Sequence, residues 1–251
     1  MNDDTSPKAT PNTRPDRRWR RDPYRSRIPR RRIDKLLGDR LTDALGLRRR
    51  RFEHAASSGV WSDTGESVSG TGSSLDATAK LRAVLPEVLV RLEVRSILDV
   101  PCGDWNWMSK VDLPIDHYIG GDIVANIVER NTAQYGRPDV EFRVIDLCTD
   151  DLPPADMLFC RDALIHFGER DIWRSIDNVR RAGITWFAAT MFIDTSANVD
   201  IATGIMWRHV NLLSAPFSFP EPVELLIDDF NRPDQRMAIW RVADLPQSPG
   251  R

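Results

Sequence analysis

Three aspartates each close a short apolar run, and their spacing is typical of a nucleotide-binding fold. Asp99 and Asp122 lie 23 positions apart, and Asp146 closes a third run of alternating character. Apolar runs of this length predict buried strands. A tight turn with Gly103 follows the first run. A strand, a glycine-bearing turn, a helix and a second strand ending in an acid form a nucleotide-binding unit, in which the second acid accepts hydrogen bonds from ribose hydroxyls.

The turn itself distinguishes between nucleotide cofactors. A dinucleotide site needs the pattern G-x-G-x-x-G, because the pyrophosphate lies against a helix N-terminus packed close to the strand. Here the turn keeps Gly103 but has Pro101 and Trp105 where small residues would be needed. S-adenosylmethionine has no phosphate and tolerates a less open turn. These departures therefore count more against NAD than against S-adenosylmethionine.

The segment Leu98-Asp-Val-Pro-Cys-Gly-Asp104 resembles the first motif of the class I S-adenosylmethionine-dependent methyltransferases. The form D-x-P-C-G-D-x-x-W, followed by G-x-D and C-R-D-x-L-x-H, is similar to a bacterial subgroup of these enzymes. The resemblance implies an S-adenosylmethionine-dependent enzyme in which Asp146 takes the amino group of adenine. The residues expected at the cofactor are Asp99, Pro101, Cys102, Gly103, Asp104, Trp105, Asp122, Ile123, Asp146, Leu147 and Cys160.

The elements that must position these residues follow from the apolar pattern and from the resemblance. We expect a doubly wound α/β fold with a mostly parallel seven-stranded sheet and a C-terminal antiparallel hairpin. The predicted strands are 96–100, 118–123, 140–147, 156–160, 184–192, 223–228 and 236–242. The predicted helices are 75–94, 104–111, 124–135 and 169–182.

The fourth strand leads into Arg161, Asp162 and His166, where we expect catalysis. Methyl transfer is an in-line displacement at a sulfonium, and the acceptor often needs a base. His166 is the natural base, because an ordinary imidazole has a pKa near ~6.5. Asp162 is the alternative base or orients the imidazole, and Arg161 could hold an anionic group. The competing interpretation is a structural Arg161–Asp162 ion pair with His166 packed in a helix.

The methyl acceptor is predicted to be a hydroxyl of a small molecule or a saccharide. Trp61 begins a loop rich in glycine and serine at 61–74, which is either a lid over the cofactor or a flexible linker. Residues 194–222 either bind the acceptor or only cover the sheet edge. The residues expected at the acceptor are Trp61, Trp107, Trp207, Arg208 and Asn211. Trp105 and Trp107 both have a competing place in the core.

Composition indicates a soluble globular protein, with 251 residues, 41% hydrophobic and 29% charged. No apolar stretch approaches the ~20 residues that span a bilayer. We see no secretory signal in the basic N-terminal stretch, so a cytoplasmic location is expected. Three cysteines at long spacings give no metal-ligand pattern, and we expect reduced thiols and no metal.

Charge is distributed unevenly behind a net charge of -2. Residues 1–52 carry 17 basic and 7 acidic side chains, whereas 53–251 carry 18 basic and 30 acidic ones. We expect 1–52 to be a largely disordered tail with a short amphipathic helix at 33–47, and 53–251 to be the methyltransferase domain. The tail could contact RNA, an anionic membrane surface or the acidic domain, or remain solvated.

Two other functional classes remain open from the sequence. One is an NAD-type oxidoreductase, which the turn disfavours. The other is a non-catalytic RNA- or membrane-binding protein on a degenerate methyltransferase scaffold.

Overall fold

A computed structural model describes residues 46–61, 65–229 and 232–249. Within these ranges the α-helices are α1 (Leu47–Ser57), α2 (Ala79–Arg91), α3 (Ala125–Tyr135) and α4 (Glu169–Arg181). The strands are β1 (Ser96–Asp99), β2 (His117–Asp122), β3 (Val140–Val144), β4 (Met157–Cys160), β5 (Trp186–Phe192), β6 (Glu224–Ile227) and β7 (Gln235–Arg241).

The seven strands form one sheet in the order β3-β2-β1-β4-β5-β7-β6. The first five strands in this order are parallel, and β7 runs antiparallel to both β5 and β6. Leu98 of β1 lies beside Ile119 on one side and Leu158 on the other. The observed sheet confirms the predicted fold class, including the C-terminal antiparallel hairpin.

The apolar runs form strands because both faces of the sheet are covered. One core cluster contains Leu98 and Leu158 with Ile172 and Ile176 of α4. The cluster on the other face contains Ile97 and Met157 with side chains of α2, and Val128 of α3 also belongs to it. Alternate residues of a strand point to opposite faces, so each central strand supplies both clusters. Continuous apolar runs are therefore what these strands require.

The predicted helix at 104–111 is wrong. Only one 3₁₀ turn forms there, at Met108–Lys110. The chain before it is held to the preceding loop instead, since the Asp104 amide donates to Ser69 Oγ at 2.8 Å and the Asn106 side chain donates to the Ser73 carbonyl at 3.1 Å.

The predicted amphipathic helix at 33–47 lies almost entirely in residues 1–45, outside the described residues. The anionic partner proposed for the tail therefore stays a prediction. Helix α1 begins at Leu47 and continues across the expected boundary between residues 52 and 53. Arg48 is the first of four consecutive arginines at 48–51, and it is buried against the domain.

None of the helices in the described ranges is long and apolar enough to cross a bilayer.

Candidate active site

A cavity lies at the carboxyl ends of β1 to β4. Its volume is about 160 Å³, which is the space that the centre of a water molecule can occupy. A single water needs only ~10–15 Å³ by that measure, so the cavity has room for an organic ligand. Asp99, Asp122, Asp146 and Asp162 all line it. The four carboxylates that follow successive strands are thus brought to one rim, where open α/β sheets bind ligands.

The turn after β1 uses its backbone amides within the chain. Cys102 N donates to the Gly121 carbonyl at 2.8 Å, and Gly103 N donates to Asp122 Oδ2 at 3.2 Å. Gly103 has a φ of 54°, and a Cβ there would lie 2.5 Å from Ser69 Oγ. Only glycine accommodates both the left-handed backbone and this close loop. The turn is therefore covered by the chain and has little space for a pyrophosphate.

Asp122 is held by two backbone amides. Its Oδ2 accepts from Gly103 N at 3.2 Å, and its Oδ1 accepts from Val124 N at 2.9 Å. Burial raises the pKa of Asp122 to about 6, although these backbone hydrogen bonds act in the opposite direction. The carboxylate keeps further lone pairs, so it can accept hydrogen bonds from a ligand in the cavity.

Asp99 accepts a hydrogen bond from the Tyr118 hydroxyl and is 3% exposed. Burial raises its pKa to about 7; the Tyr118 hydrogen bond opposes this shift and the Asp122 charge adds to it. A folded-state pKa above the ordinary value of ~3.9 means that the folded protein holds this proton where the unfolded chain has lost it. Asp99 therefore makes the fold less stable as pH rises towards 7.

We expect Asp99→Asn to remove that pH dependence. Between pH 5 and 7.5 the wild type should lose about 2 kcal/mol more unfolding free energy than Asp99→Asn, because only the wild type must ionise Asp99, whereas the buried Asp122 ionises in both proteins. Urea denaturation at the two pH values measures the difference. The comparison between variants is needed because the lowered pKa of His166 acts with the opposite sign. Equal losses in both proteins, or the same flattening in the exposed-site control Asp139→Asn, would contradict the assignment.

The Asp146 carboxylate forms an ion pair with Arg48. Arg48 of α1 donates its Nε to Asp146 Oδ1 at 3.0 Å and Oδ2 at 2.9 Å, and its Nη1 lies 3.2 Å from Asp171 Oδ2. Burial by itself lowers the pKa of Arg48, but the surrounding ionisable groups, including Asp146 and Asp171, raise it overall. The guanidinium is therefore charged and forms part of the cavity wall.

The guanidinium of Arg161 also forms its hydrogen bonds within the chain. Its Nε and Nη2 donate to the two oxygens of Asp228 at 2.9 Å each, and its Nη1 donates to the Gly72 carbonyl at 2.9 Å. Nη1 also lies 3.2 Å from Asp162 Oδ2. The guanidinium carbon is 5.6 Å from the centre of the Trp107 ring. The Asp228 pair commits Arg161 to the protein rather than to an anionic ligand.

We expect Arg161→Met to destabilise the fold by about 3 kcal/mol, because it leaves the fully buried Asp228 carboxylate without its partner. The double variant Arg161→Met with Asp228→Asn should recover most of that loss, since neither member of the buried pair then carries a charge. Urea denaturation of the three proteins measures both effects. A loss below about 1 kcal/mol in the single variant, or no recovery in the double variant, would show that the pair is not the main role of Arg161.

Asp162 and His166 both reach the cavity lining. Asp162 has a φ of 54° and its amide donates to Thr190 Oγ1 at 2.9 Å, while Gln235 Nε2 donates to its Oδ1 at 3.2 Å. His166 Nδ1 lies 3.1 Å from the Met206 carbonyl. A carbonyl only accepts, so the neutral ring carries its proton on Nδ1 and keeps a lone pair on Nε2. Burial lowers the pKa of His166 to about 4.

Aromatic side chains form the wall beside His166. The Trp61 ring centre lies 5.7 Å from that of His166, and Phe52 of α1 lies 6.2 Å from both Trp61 and Phe167. The loop after Trp61 contributes Val68, Ser69 and Ser73 to the lining. Trp107 lines the cavity too, although its ring is 6% exposed and also contacts the core.

Six of the predicted site residues lie away from the cavity lining. Trp105 packs in the core among Tyr118, Tyr135 and Phe142, and the Asp104 carboxylate accepts from Val68 N at 2.8 Å. Asn211 is buried and donates to the carbonyls of Ile193 and Thr195. The residues outside the lining are Asp104, Trp105, Cys160, Trp207, Arg208 and Asn211.

Arg208 and Trp207 show why the segment 207–211 is not part of this wall. Arg208 donates to the carbonyls of Val199 and Leu164, and Trp207 is exposed and contacts His209. The predicted residues that do line the cavity are Trp61, Asp99, Pro101, Cys102, Gly103, Trp107, Asp122, Ile123, Asp146, Leu147, Arg161, Asp162 and His166.

Comparison with known proteins concerns the fold. No protein-family model and no curated protein matches the chain. Among solved structures, the methyltransferase domain of bacterial CtHen1 is 14% identical, covering 46% of this chain and 67% of that chain at a TM-score of 0.42. PigF with SAH is 16% identical, covering 65% and 55% at a TM-score of 0.45. CalS10, described as an amino pentose methyltransferase from Micromonospora echinaspora with bound SAM, is 14% identical, covering 43% and 48% at a TM-score of 0.38.

The matches span about half to two thirds of the length of these solved chains. The strand order, with β7 antiparallel to both of its neighbours, by itself shows a Rossmann-like sheet with a doubly wound parallel part.

Proposed function

We propose that the protein is an S-adenosylmethionine-dependent methyltransferase that acts on a hydroxyl group of a small molecule or a saccharide. The observation that carries this proposal is Asp122. It is a buried carboxylate at the carboxyl end of β2, held by two backbone amides and facing the cavity beside the Gly103 turn. A carboxylate in this position is suited to the two hydroxyls of a ribose.

The residues of the cavity fit this cofactor better than a dinucleotide. The amides of Cys102, Gly103 and Asp104 already donate to chain atoms, so a pyrophosphate would find few donors at the turn. A nucleoside without phosphate needs no such donors. Asp122 would hold the ribose and Asp146 the adenine amino group, with Ile123 and Leu147 as apolar neighbours. When bound, S-adenosylmethionine supplies a methyl group activated by a positive sulfonium.

The charge of the cavity supports a cationic cofactor. Four acidic side chains line it, of which Asp99 is about half protonated at pH 7, against the two guanidiniums of Arg48 and Arg161, which are paired with acids. Buried carboxylates attract a cation more strongly than exposed ones, because solvent screens them less. An anionic acceptor group would be repelled by the same carboxylates, whereas a neutral hydroxyl would not.

His166 and Asp162 are the residues proposed to prepare the acceptor. The hydrogen bond from His166 Nδ1 to the Met206 carbonyl orients the ring and leaves the Nε2 lone pair to take the hydroxyl proton. The lowered pKa keeps His166 neutral throughout the physiological range, so it is always ready to accept a proton. Asp162, fixed by Gln235 and Arg161, can accept a hydrogen bond from the acceptor.

Calorimetry with S-adenosylhomocysteine and with NADH tests the cofactor. Binding of S-adenosylhomocysteine without binding of NADH supports the proposal, and the reverse would establish the oxidoreductase alternative. Binding of neither would favour a non-catalytic scaffold. Incubation of the protein and cell extract with S-adenosylmethionine labelled in its methyl group then identifies the acceptor. A labelled ether supports hydroxyl methylation, whereas a labelled amine or thioether would overturn that part of the proposal.

A further inference from the structure

Arg48 is the least expected member of the cavity wall, because it comes from a basic run far from the sheet in sequence. It is 4% exposed and lies 98 positions from Asp146. Taking a guanidinium out of water costs several kcal/mol unless its hydrogen bonds are well satisfied. Here Asp146 and Asp171 supply carboxylates at 2.9 to 3.2 Å. The burial of Arg48 therefore depends on these two acids.

Helix α1 is docked by more than this one side chain. Arg51, one turn after Arg48, donates to the Thr203 carbonyl at 2.7 Å. The Thr203 hydroxyl in turn donates to Asp171 Oδ2 at 2.6 Å, which is the oxygen that Arg48 Nη1 contacts. Asp171 is kept ionised, since Arg48 and the Thr203 hydrogen bond lower its pKa despite burial. The guanidinium of Arg48 is thus fixed on the side away from Asp146.

The contacts of Asp146 leave it one defined acceptor position. A carboxylate has about four lone-pair sites, two on each oxygen. Arg48 Nε has one hydrogen, which Oδ1 at 3.0 Å and Oδ2 at 2.9 Å share. Oδ1 also accepts from Cys148 N at 3.0 Å, so Oδ2 is the oxygen with an open lone pair. Because Asp146 lines the cavity, a ligand there would meet a carboxylate with one remaining site of fixed direction.

We infer that Arg48 is a positioning residue that determines specificity for the cofactor base. It orients the Asp146 carboxylate so that Oδ2 accepts a hydrogen bond from the exocyclic amino group of adenine. Helix α1 therefore belongs to the cofactor site. This inference rests on the proposed function, since it assigns a role in binding S-adenosylmethionine.

The test compares two ligands that differ at that amino group. S-adenosylhomocysteine carries adenine, and S-inosylhomocysteine carries hypoxanthine, which has a carbonyl oxygen in its place. Calorimetry gives both dissociation constants for the wild type and for Arg48→Gln, Arg48→Lys and Asp146→Asn. Arg50→Gln is the matched control, because Arg50 is an exposed arginine on the same helix. Thermal unfolding without ligand is measured for every variant.

We expect the wild type to prefer the adenine ligand by about 10-fold or more, the effect of one hydrogen bond to a charged group. Asp146→Asn should abolish the preference, Arg48→Gln should reduce it to below about 3-fold, and Arg48→Lys should keep an intermediate value. Arg50→Gln should behave as the wild type. If Arg48→Gln is too unstable to assay, Arg48→Lys, which keeps the charge, decides the question by its ratio.

Three results would overturn the inference. An unchanged ratio in the Arg48 variants, with both ligands weakened equally, would make Arg48 a purely structural residue. A higher affinity for the adenine ligand in Arg48→Gln would mean that Arg48 blocks Asp146 instead of orienting it. If the wild type binds neither ligand, the proposed function fails as well. The first two results leave the proposed function intact, so the two failures are distinguishable.

Discussion

Replacing Asp122 by Asn is expected to lower the affinity for S-adenosylhomocysteine by roughly 100-fold. A hydrogen bond to a charged acceptor is worth ~1.5–3 kcal/mol, and two ribose hydroxyls would donate to this carboxylate. The amide keeps one acceptor oxygen and loses the charge, so the expected loss is about 3 kcal/mol. Calorimetry with the purified variant gives the dissociation constant directly.

The pH dependence of binding gives Asp122 a second signature. Because burial raises its pKa to about 6, the carboxylate loses its charge as pH falls through that value. The affinity of the wild type should therefore decrease as pH falls below about 6. Asp122→Asn cannot ionise at this position and should lack that decrease, whereas any effect of Asp99, with its pKa of about 7, should be common to both proteins.

The fold of Asp122→Asn should remain intact, although its NH2 group can no longer accept one of the two backbone hydrogen bonds, because the removal of a buried charge offsets part of that loss. Its melting temperature should stay within about 5 °C of the wild type. Asp139→Asn is the control, since Asp139 is exposed and precedes β3 at the opposite end of the sheet. An affinity within threefold of the wild type in Asp122→Asn would mean that the ribose does not bind here.

The strands could be predicted from the sequence because they are buried on both faces. Continuous apolar runs then coincide with strands. For six of the seven strands, the predicted first and last residues lie within two residues of the observed ones. The exception, β3, ends at Val144 rather than 147 because Ile145, Asp146 and Leu147 turn to line the cavity. The acids at the strand ends indicated the rim of the site, because the carboxyl ends of parallel strands lie at one edge of the sheet.

The rest of the site could not be predicted, because it depends on contacts between distant parts of the chain. A run of four arginines is usually solvated. Nothing in its pattern shows that Arg48, and not its neighbours, would form ion pairs with Asp146 and Asp171. Arg161 pairs with Asp228, 67 positions away, on a loop that carries no motif. For Trp105 the sequence left both the cofactor and the core open, and the ring packs in the core against Phe142.

The segment 207–211 shows a different limit of sequence reasoning. Its aromatic and polar residues have the composition of a binding loop, but Arg208 and Asn211 bind backbone carbonyls of the same region. Buried backbone carbonyls need hydrogen-bond donors, just as a bound ligand does. The two uses of a polar side chain look alike in sequence, and only the backbone path distinguishes them.

His166→Gln is expected to lower the rate of methyl transfer by ~10²–10⁴-fold, the usual contribution of a positioned general base. Glutamine can still donate to the Met206 carbonyl but cannot accept a proton at physiological pH. Single-turnover transfer to the acceptor identified by labelling measures the rate. S-adenosylhomocysteine affinity should change little, because the acids proposed to hold the cofactor are untouched. His117→Gln is the control, since His117 pairs with Glu141 at the start of β2, away from the cavity lining.

The pH profile decides whether His166 is the base. Its pKa of about 4 means that the ring is already neutral at pH 5 and above, so the wild-type rate should not fall between pH 8 and 5.5 on account of this group. An ordinary histidine base would lose activity below ~6.5. A low pKa also makes His166 a weak base, which suits an acceptor hydroxyl that loses its proton late, as the new bond forms. The rate is measured with saturating S-adenosylmethionine, so that the titration of Asp122 does not limit cofactor binding. Under that condition, a rate that falls with a midpoint near 6.5, or one unchanged in His166→Gln, would assign the proton to another group, with Asp162 the first candidate.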